Sequence, residues 1–176
     1  YDLISYNLSK VNGINIELGC GASFIDQTIL NIKKTDVFLN SNTDFKLDAM
    51  DIGTKFEKSI SNLILVNVFH HISNPELFLR SAEKSLLAGG RIIMIEPSNN
   101  LWSRVIYKMV GHEKFDTNQI DWEFKSKDPL FDSNQALSWI IFDRDKEKFK
   151  ELFPMFSLVK KKNIMLKKPL QKASKL

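Results

Sequence analysis

Ile16-Glu17-Leu18-Gly19-Cys20-Gly21-Ala22-Ser23 is the stretch whose reading decides the fold of this chain. It ends an apolar run that begins at Ile14, so INIEL over 14–18 reads as a short buried strand. Gly19 and Gly21 then allow a tight turn and a close approach of backbone to a ligand, and a helix is predicted over about 22–30. Strand, glycine turn and helix in that order open a βα unit. Open α/β sheets bind their ligands at the carboxyl ends of such strands.

Working outward, apolar runs of strand length recur at 32–38, 45–48, 62–69 and 91–96, separated by helical patterns. The runs at 63–66 and 92–95 are continuously apolar, as strands covered on both faces should be. Between them lies the clearest helix, predicted over 75–87. Asn74 is its N-cap, Pro75 its first residue, Gly89-Gly90 its stop, and Phe78, Ala82 and Leu86 its buried face. A further helix is expected over 99–110. The predicted fold is α/β, a Rossmann-like three-layer sandwich with a mostly parallel sheet.

Residues 14–97 form the ligand-binding half of one expected domain spanning 1–176. Residues 98–135 are a candidate lid over the substrate, because 111–135 lacks a clear period and long structureless loops are often functional. ALSWIIF at 136–142, a helix over 145–152 and a strand near 156–162 follow as C-terminal sheet elements within 136–163, and a basic tail occupies 164–176. Tyr1 is not a natural start, so upstream residues are expected.

Composition limits the function classes. With 43% hydrophobic and 26% charged residues the chain is globular rather than disordered or fibrous. One cysteine, Cys20, allows no internal disulfide, zinc ribbon or CxxC redox pair. No apolar run approaches a membrane span and no signal peptide is visible, so a cytoplasmic protein without a transmembrane segment is expected. The net charge of +4 is unevenly placed: from Lys160 onward there are seven lysines and no acids. Without those lysines, residues 1–159 carry 18 basic against 21 acidic side chains, a net of −3. Nucleic acid is therefore not the expected partner. The lysine run could meet anionic lipid or phosphate, although such runs are more often simply solvated.

Several side chains could carry chemistry. Phe24 stands where a dinucleotide loop of the GxGxxG type needs its third glycine. Glu17, directly before the loop, disfavours a pyrophosphate and suits a ligand bearing an ammonium or sulfonium. Asp36, near the end of the second strand, can accept both hydroxyls of a ribose, or be a loop acid. Asp48 can receive an adenine amino group with Ala49 or Met50 against the ring, or serve as a turn cap. His70 and His71 follow the fourth strand and are candidate general bases; adjacent in an extended segment, they should point to opposite sides. His112, with Glu113, is a second candidate base in the lid. His112, Glu113 and Asp116 lack a specific metal-ligand spacing, so no metal is expected. Cys20 has no obvious base to make it a nucleophile. The aromatic residues after Pro97 could line an acceptor pocket or pack the core.

Taken together these residues resemble the class I S-adenosylmethionine-dependent methyltransferases. The resemblance extends through Asn67-Val68-Phe69-His70-His71-Ile72, the helix from Asn74, Leu87-Ala88-Gly89-Gly90-Arg91 and Ile95-Glu96-Pro97. That order is similar to the small-molecule "type 11" branch. It implies S-adenosylmethionine as cofactor, bound by Glu17, Gly19, Cys20, Gly21, Asp36, Asp48, Ala49, Met50 and Asn67. It also implies a small-molecule, glycan or lipid-precursor acceptor. The family sheet ends in a hairpin with an antiparallel last strand, and Ile164-Met165-Leu166-Lys167-Lys168-Pro169 does not read as that strand, which leaves it open. The rival readings are an NAD-binding Rossmann oxidoreductase, opposed by Phe24, and a noncatalytic methyltransferase-like binding module.

Overall fold

The structure is a computed structural model and describes residues 2–22, 25, 31–99, 114–126, 128 and 132–162. Five strands form one sheet: β1 (Ile14–Leu18), β2 (Ile32–Asp36), β3 (Phe45–Lys46), β4 (Ile60–Val66) and β5 (Leu86–Ile95). Their order is β3-β2-β1-β4-β5, and every pairing is parallel. The chain winds from β1 outward to β3, then crosses to the other side of β1 to lay down β4 and β5. The order therefore reverses between β1 and β4, and all five strands end on one edge.

Both sheet faces are covered, which is why the central strands need no polar alternation. Ile16, Leu18, Leu63 and Leu65 face the larger core, with Ile52, Phe78, Leu79 and Ala82. Ile32 and Ile64 face the other side, with Ile4 and Ile25. Helix α1 is Asp2–Asn7, α2 Ile52–Lys55 and α3 Pro75–Ser85. Near the C-terminus come α4 (Leu137–Trp139), a π-helical turn (Ile140–Arg144) and α5 (Lys146–Leu152). Asn74 caps α3 by accepting the Leu77 N–H at 2.9 Å. Helix α2 packs close on α3 because Gly53 has no side chain: a Cβ there would lie 2.5 Å from the Ser81 carbonyl oxygen.

The predicted fold class, the first strand and the helices at 75 and 145 agree with the structure. Several boundaries do not. Helix α3 stops at Ser85 and β5 begins at once, so Gly89-Gly90 lie inside a strand. The reason is non-local: Lys58 and Ser59 donate to the carbonyls of Lys84 and Ser85, pulling the chain onto the sheet edge. A register shift follows between Ile60 and Asn62, which pair with Leu86 and Arg91, and Gly89 absorbs the extra residues at φ +78. Strand β4 ends at Val66 because Asn67 turns the chain at φ +55. The expected strand at 156–162 is absent: Ser157–Lys162 are exposed and take no regular structure, and no antiparallel strand occurs among the described residues. Three successive lysines there have nothing to gain from a sheet. The helices expected over 22–30 and 99–110 lie largely outside the described residues. No described helix is long and apolar enough to cross a membrane.

Candidate functional site

Because the sheet is parallel, the segments leaving β1, β2, β3, β4 and β5 converge on one edge. After β1, Gly19 and Gly21 adopt φ +61 and +49, values costly for residues with a side chain. A Cβ on Gly19 would lie 2.6 Å from Val68 Cγ2, so this glycine lets the β1 loop pack on the turn after β4. A Cβ on Gly21 would meet nothing within 4 Å, so the loop backbone opens there onto free space. The Cys20 N–H donates to the Thr35 carbonyl at 2.9 Å, and burial pushes its thiol up, leaving it a poor nucleophile.

Asp36 ends β2 and is 9% exposed, which excludes a solvated loop acid. Its Oδ2 accepts the Gly21 N–H at 2.9 Å and its Oδ1 the Phe38 N–H at 3.0 Å. The carboxylate thus ties the β1 loop to the β2 loop, and its remaining lone pairs can serve a diol. Asn40 and Asn42, unremarked in the sequence, brace the loop further by donating to the carbonyls of Gly21 and Ala22. Glu17 is 3% exposed on β1, in register with Lys34 of β2 and Ile64 of β4. Asp48 caps the 3-10 turn Ala49–Asp51 through the Met50 N–H at 2.9 Å, the turn role its sequence allowed. Asn67 is exposed beside the β4 turn, its N–H donating to the Ile95 carbonyl at 2.8 Å.

The two histidines depart from expectation. Phe69–His71 form a 3-10 turn, not an extended segment, and the rings of His70 and His71 lie together with centroids 4.3 Å apart. The cause is Glu96, just past β5. Its Oε1 accepts the N–H groups of Val68 and Phe69 at 2.9 and 2.8 Å, curling the backbone, and its Oε2 meets His70 Nδ1 at 2.6 Å. Both side chains are almost fully buried, at 4% and 6%. With Nδ1 donating to the carboxylate, Nε2 is left as the ring's acceptor. No role for Glu96 was read from the sequence, although an acid directly after an apolar strand carries the same signal as Asp36. His112 and Glu113 lie outside the described residues; Asp116 pairs with Lys114 at 2.9 Å.

Part of the segment expected to be a lid is fastened to this edge. Asn134, 1% exposed, donates its N–H to the His70 carbonyl at 3.0 Å. Its Oδ1 accepts from Asp116 and Ala136, and its Nδ2 donates to the Asp116 carbonyl and Gln119. Asn134→Ala should leave at least two amides unpaired and lower stability by about 2–4 kcal/mol, read from urea unfolding. A loss under about 1 kcal/mol would contradict this placement.

A second fastening joins Trp122, whose Nε1 donates to Asp145 Oδ2 at 2.8 Å, with Arg144, which pairs with Asp145 and donates to the Thr117 and Gln119 carbonyls. The Arg144 hydrogen bond, helped by the Trp122 indole, holds the Asp145 carboxyl below the usual carboxylate range. A depressed folded value means the stabilisation is complete above the unfolded value near 3.9 and drains as pH falls through the folded one. Wild-type protein should therefore lose Tm more steeply below about pH 4 than Asp145→Asn; parallel acid limbs would refute this link.

The chemistry of the acidic donors is compatible with S-adenosylmethionine: Asp36 is bonded to the glycine turn at Gly21, Glu17 is buried on β1, and Asp48 caps the turn after β3. It does not suit a pyrophosphate. A separate cleft of about 360 Å³ beside α3, lined by Asn74, Leu77, Arg80, Trp122 and Lys148 among others, contains none of these residues.

No protein-family model and no curated protein matches the chain. Among solved structures it is similar to the selenomethionine-substituted CurJ carbon methyltransferase, with 19% identity and a TM-score of 0.42 over 60% of this chain and 34% of that one. It is also similar to the CMeT domain of the citrinin polyketide synthase, with 12% identity and a TM-score of 0.46 over 86% of this chain and 42% of that one. The chain thus spans well under half the length of either solved chain.

Proposed function

We propose that the chain is an S-adenosylmethionine-dependent methyltransferase acting on a small molecule or a glycan or lipid precursor. The observation that carries the reading is the buried Asp36 carboxylate bound to the Gly21 amide beside an open glycine turn. In this reading Asp36 takes the ribose hydroxyls, and Asp48 the adenine amine with Ala49 and Met50 along the ring. Glu17 and the backbone of Gly19, Cys20 and Gly21 hold the amino-acid end, and Asn67 borders the site.

When bound, S-adenosylmethionine supplies a methyl group on a leaving group that is already activated. The protein's work is then mainly orientation, which is worth up to about 7–11 kcal/mol of barrier. For an acceptor hydroxyl, His70 is the base: Glu96 fixes its ring and keeps the Nδ1 proton in place, so Nε2 can take the acceptor's proton, a contribution of about 10²–10⁴-fold. The burial of the pair keeps that geometry from relaxing into solvent. His71, its ring tilted against that of His70 with centroids 4.3 Å apart, is its support rather than a second base.

The test is transfer of radiolabel from methyl-labelled S-adenosylmethionine into an extract of the source cells, fractionated into polar and lipid-soluble material. Label should appear in a low-mass or lipid-linked product, and His70→Gln should abolish it. A persistent blank despite tight binding of the donor would favour the noncatalytic module instead.

A further inference from the structure

The polypeptide after α5 is held by two aromatic side chains and then runs free of the core. Phe153 is fully buried, and Phe156 packs against Phe149 and Phe153 at centroid distances of 6.4 and 6.0 Å. Beyond this anchor every residue from Ser157 to Lys162 is exposed. Leu158 is 73% and Val159 66% exposed, beside Met155 at 80%, and Lys160-Lys161-Lys162 follow directly. Lys161 pairs with Asp143, which ties the arm to the π-helical turn and leaves Lys160 and Lys162 to present their charge. The sequence then repeats the combination, Ile164-Met165-Leu166 followed by Lys167-Lys168, and no acid occurs from residue 160 onward.

From this juxtaposition we propose that the arm at 155–162 docks the protein on an anionic lipid bilayer. Exposed aliphatic side chains beside lysines match the two layers of such a surface. The aliphatic tips enter the boundary between headgroups and acyl chains, while the ammonium groups stay level with the phosphates. A phosphodiester backbone would use the lysines but offer nothing to Leu158 and Val159, and no aromatic side chain follows Phe156 to stack on bases. A protein partner is a poorer match, because the surface lacks the Trp, Tyr and Arg anchors that dominate protein interfaces. The rest of the chain, with its net charge of −3 over residues 1–159, would turn away from the membrane. The proposal goes beyond methyl transfer and does not depend on it.

The experiment is co-sedimentation of the whole chain with vesicles of phosphatidylcholine containing about 30% phosphatidylserine, against phosphatidylcholine alone, at physiological salt. Binding is expected to the anionic vesicles and to be at least about tenfold weaker to the neutral ones. Lys160→Gln with Lys162→Gln should lower the partition roughly 25-fold, about fivefold for each lysine near the surface. Leu158→Ser with Val159→Ser should also weaken it, although the charge is unchanged. Circular dichroism of both double variants should match wild type, because the substituted side chains are exposed. The proposal fails if the anionic vesicles retain no protein, or if neutral vesicles bind it equally. It also fails if either double variant binds as wild type does, or if a single-stranded oligonucleotide displaces the protein from the vesicles.

Discussion

Asp36→Ala is expected to weaken binding of S-adenosylhomocysteine about 100-fold while leaving the sheet intact. Two losses combine. The first is the charge-assisted hydrogen bonding to the ribose proposed above, a class of interaction that contributes about 1.5–3 kcal/mol, or roughly 10–150-fold in affinity. The second is local: Asp36 accepts the Gly21 and Phe38 N–H groups, and without it both amides lose their partner and the glycine loop is free to reorganise. The effect should therefore lie toward the upper end of that range. Asp36→Asn is the informative companion. One amide oxygen can still accept from Gly21 or Phe38, but the NH2 group faces the other donor, so an intermediate loss is expected. Calorimetric titration of both variants, with melting curves recorded alongside, checks this. Unchanged affinity in Asp36→Ala would remove the ribose role.

Glu96→Gln is expected to lower turnover by about 10²–10⁴-fold with S-adenosylhomocysteine affinity and fold unchanged. One carboxylate does two jobs here, holding the turn and the His70 ring. A Gln side chain can keep the first, its Oε1 accepting the Val68 and Phe69 N–H groups as the Glu96 oxygen does. Its NH2 then faces His70 Nδ1, which must become the acceptor, and the ring proton moves to Nε2. The imidazole stays in place but has no lone pair left for an incoming proton. Nitrogen NMR shifts of the His70 ring report this directly, before any acceptor is known: the neutral wild-type ring should be protonated at Nδ1 and the variant at Nε2. Wild type protonated at Nε2, or a variant that keeps the Nδ1 proton, would contradict the assignment. Glu96→Ala should differ in kind, since two amides lose their acceptor and stability falls as well.

What the sequence disclosed, and what it hid, follows from the range of the interactions. Strand β1, the glycine turn and the N-terminus of α3 are local: a short apolar run, φ above zero at Gly19 and Gly21, and the Asn74 cap are all written within a few residues. Asp36 was legible as a candidate because it ends a strand, while its burial and its bonds to the Gly21 and Phe38 amides needed the folded chain. The start of β5 was hidden, since Leu86-Leu87-Ala88-Gly89-Gly90 reads as a helix end until Ser59 supplies a partner for Ser85. The 3-10 turn of the histidines was hidden for the same reason: the acceptor that curls it, Glu96, lies 27 residues from Phe69. Arg144, Asp145 and Trp122 also meet only after the chain has folded, across a separation of 23 residues for the indole bond. The missing strand after α5 is a different kind of error. The largely apolar run at 156–159 suggests a strand near 156–162, but Leu158 and Val159 are exposed and lysines follow them directly.

Binding of S-adenosylmethionine at this sheet edge, as proposed above, is tested most directly by calorimetric titration of the chain with S-adenosylhomocysteine and, separately, with NAD. One equivalent of S-adenosylhomocysteine should bind, with no heat from NAD and with the binding greatly weakened in Asp36→Ala. Binding of NAD with indifference to S-adenosylhomocysteine would contradict the account.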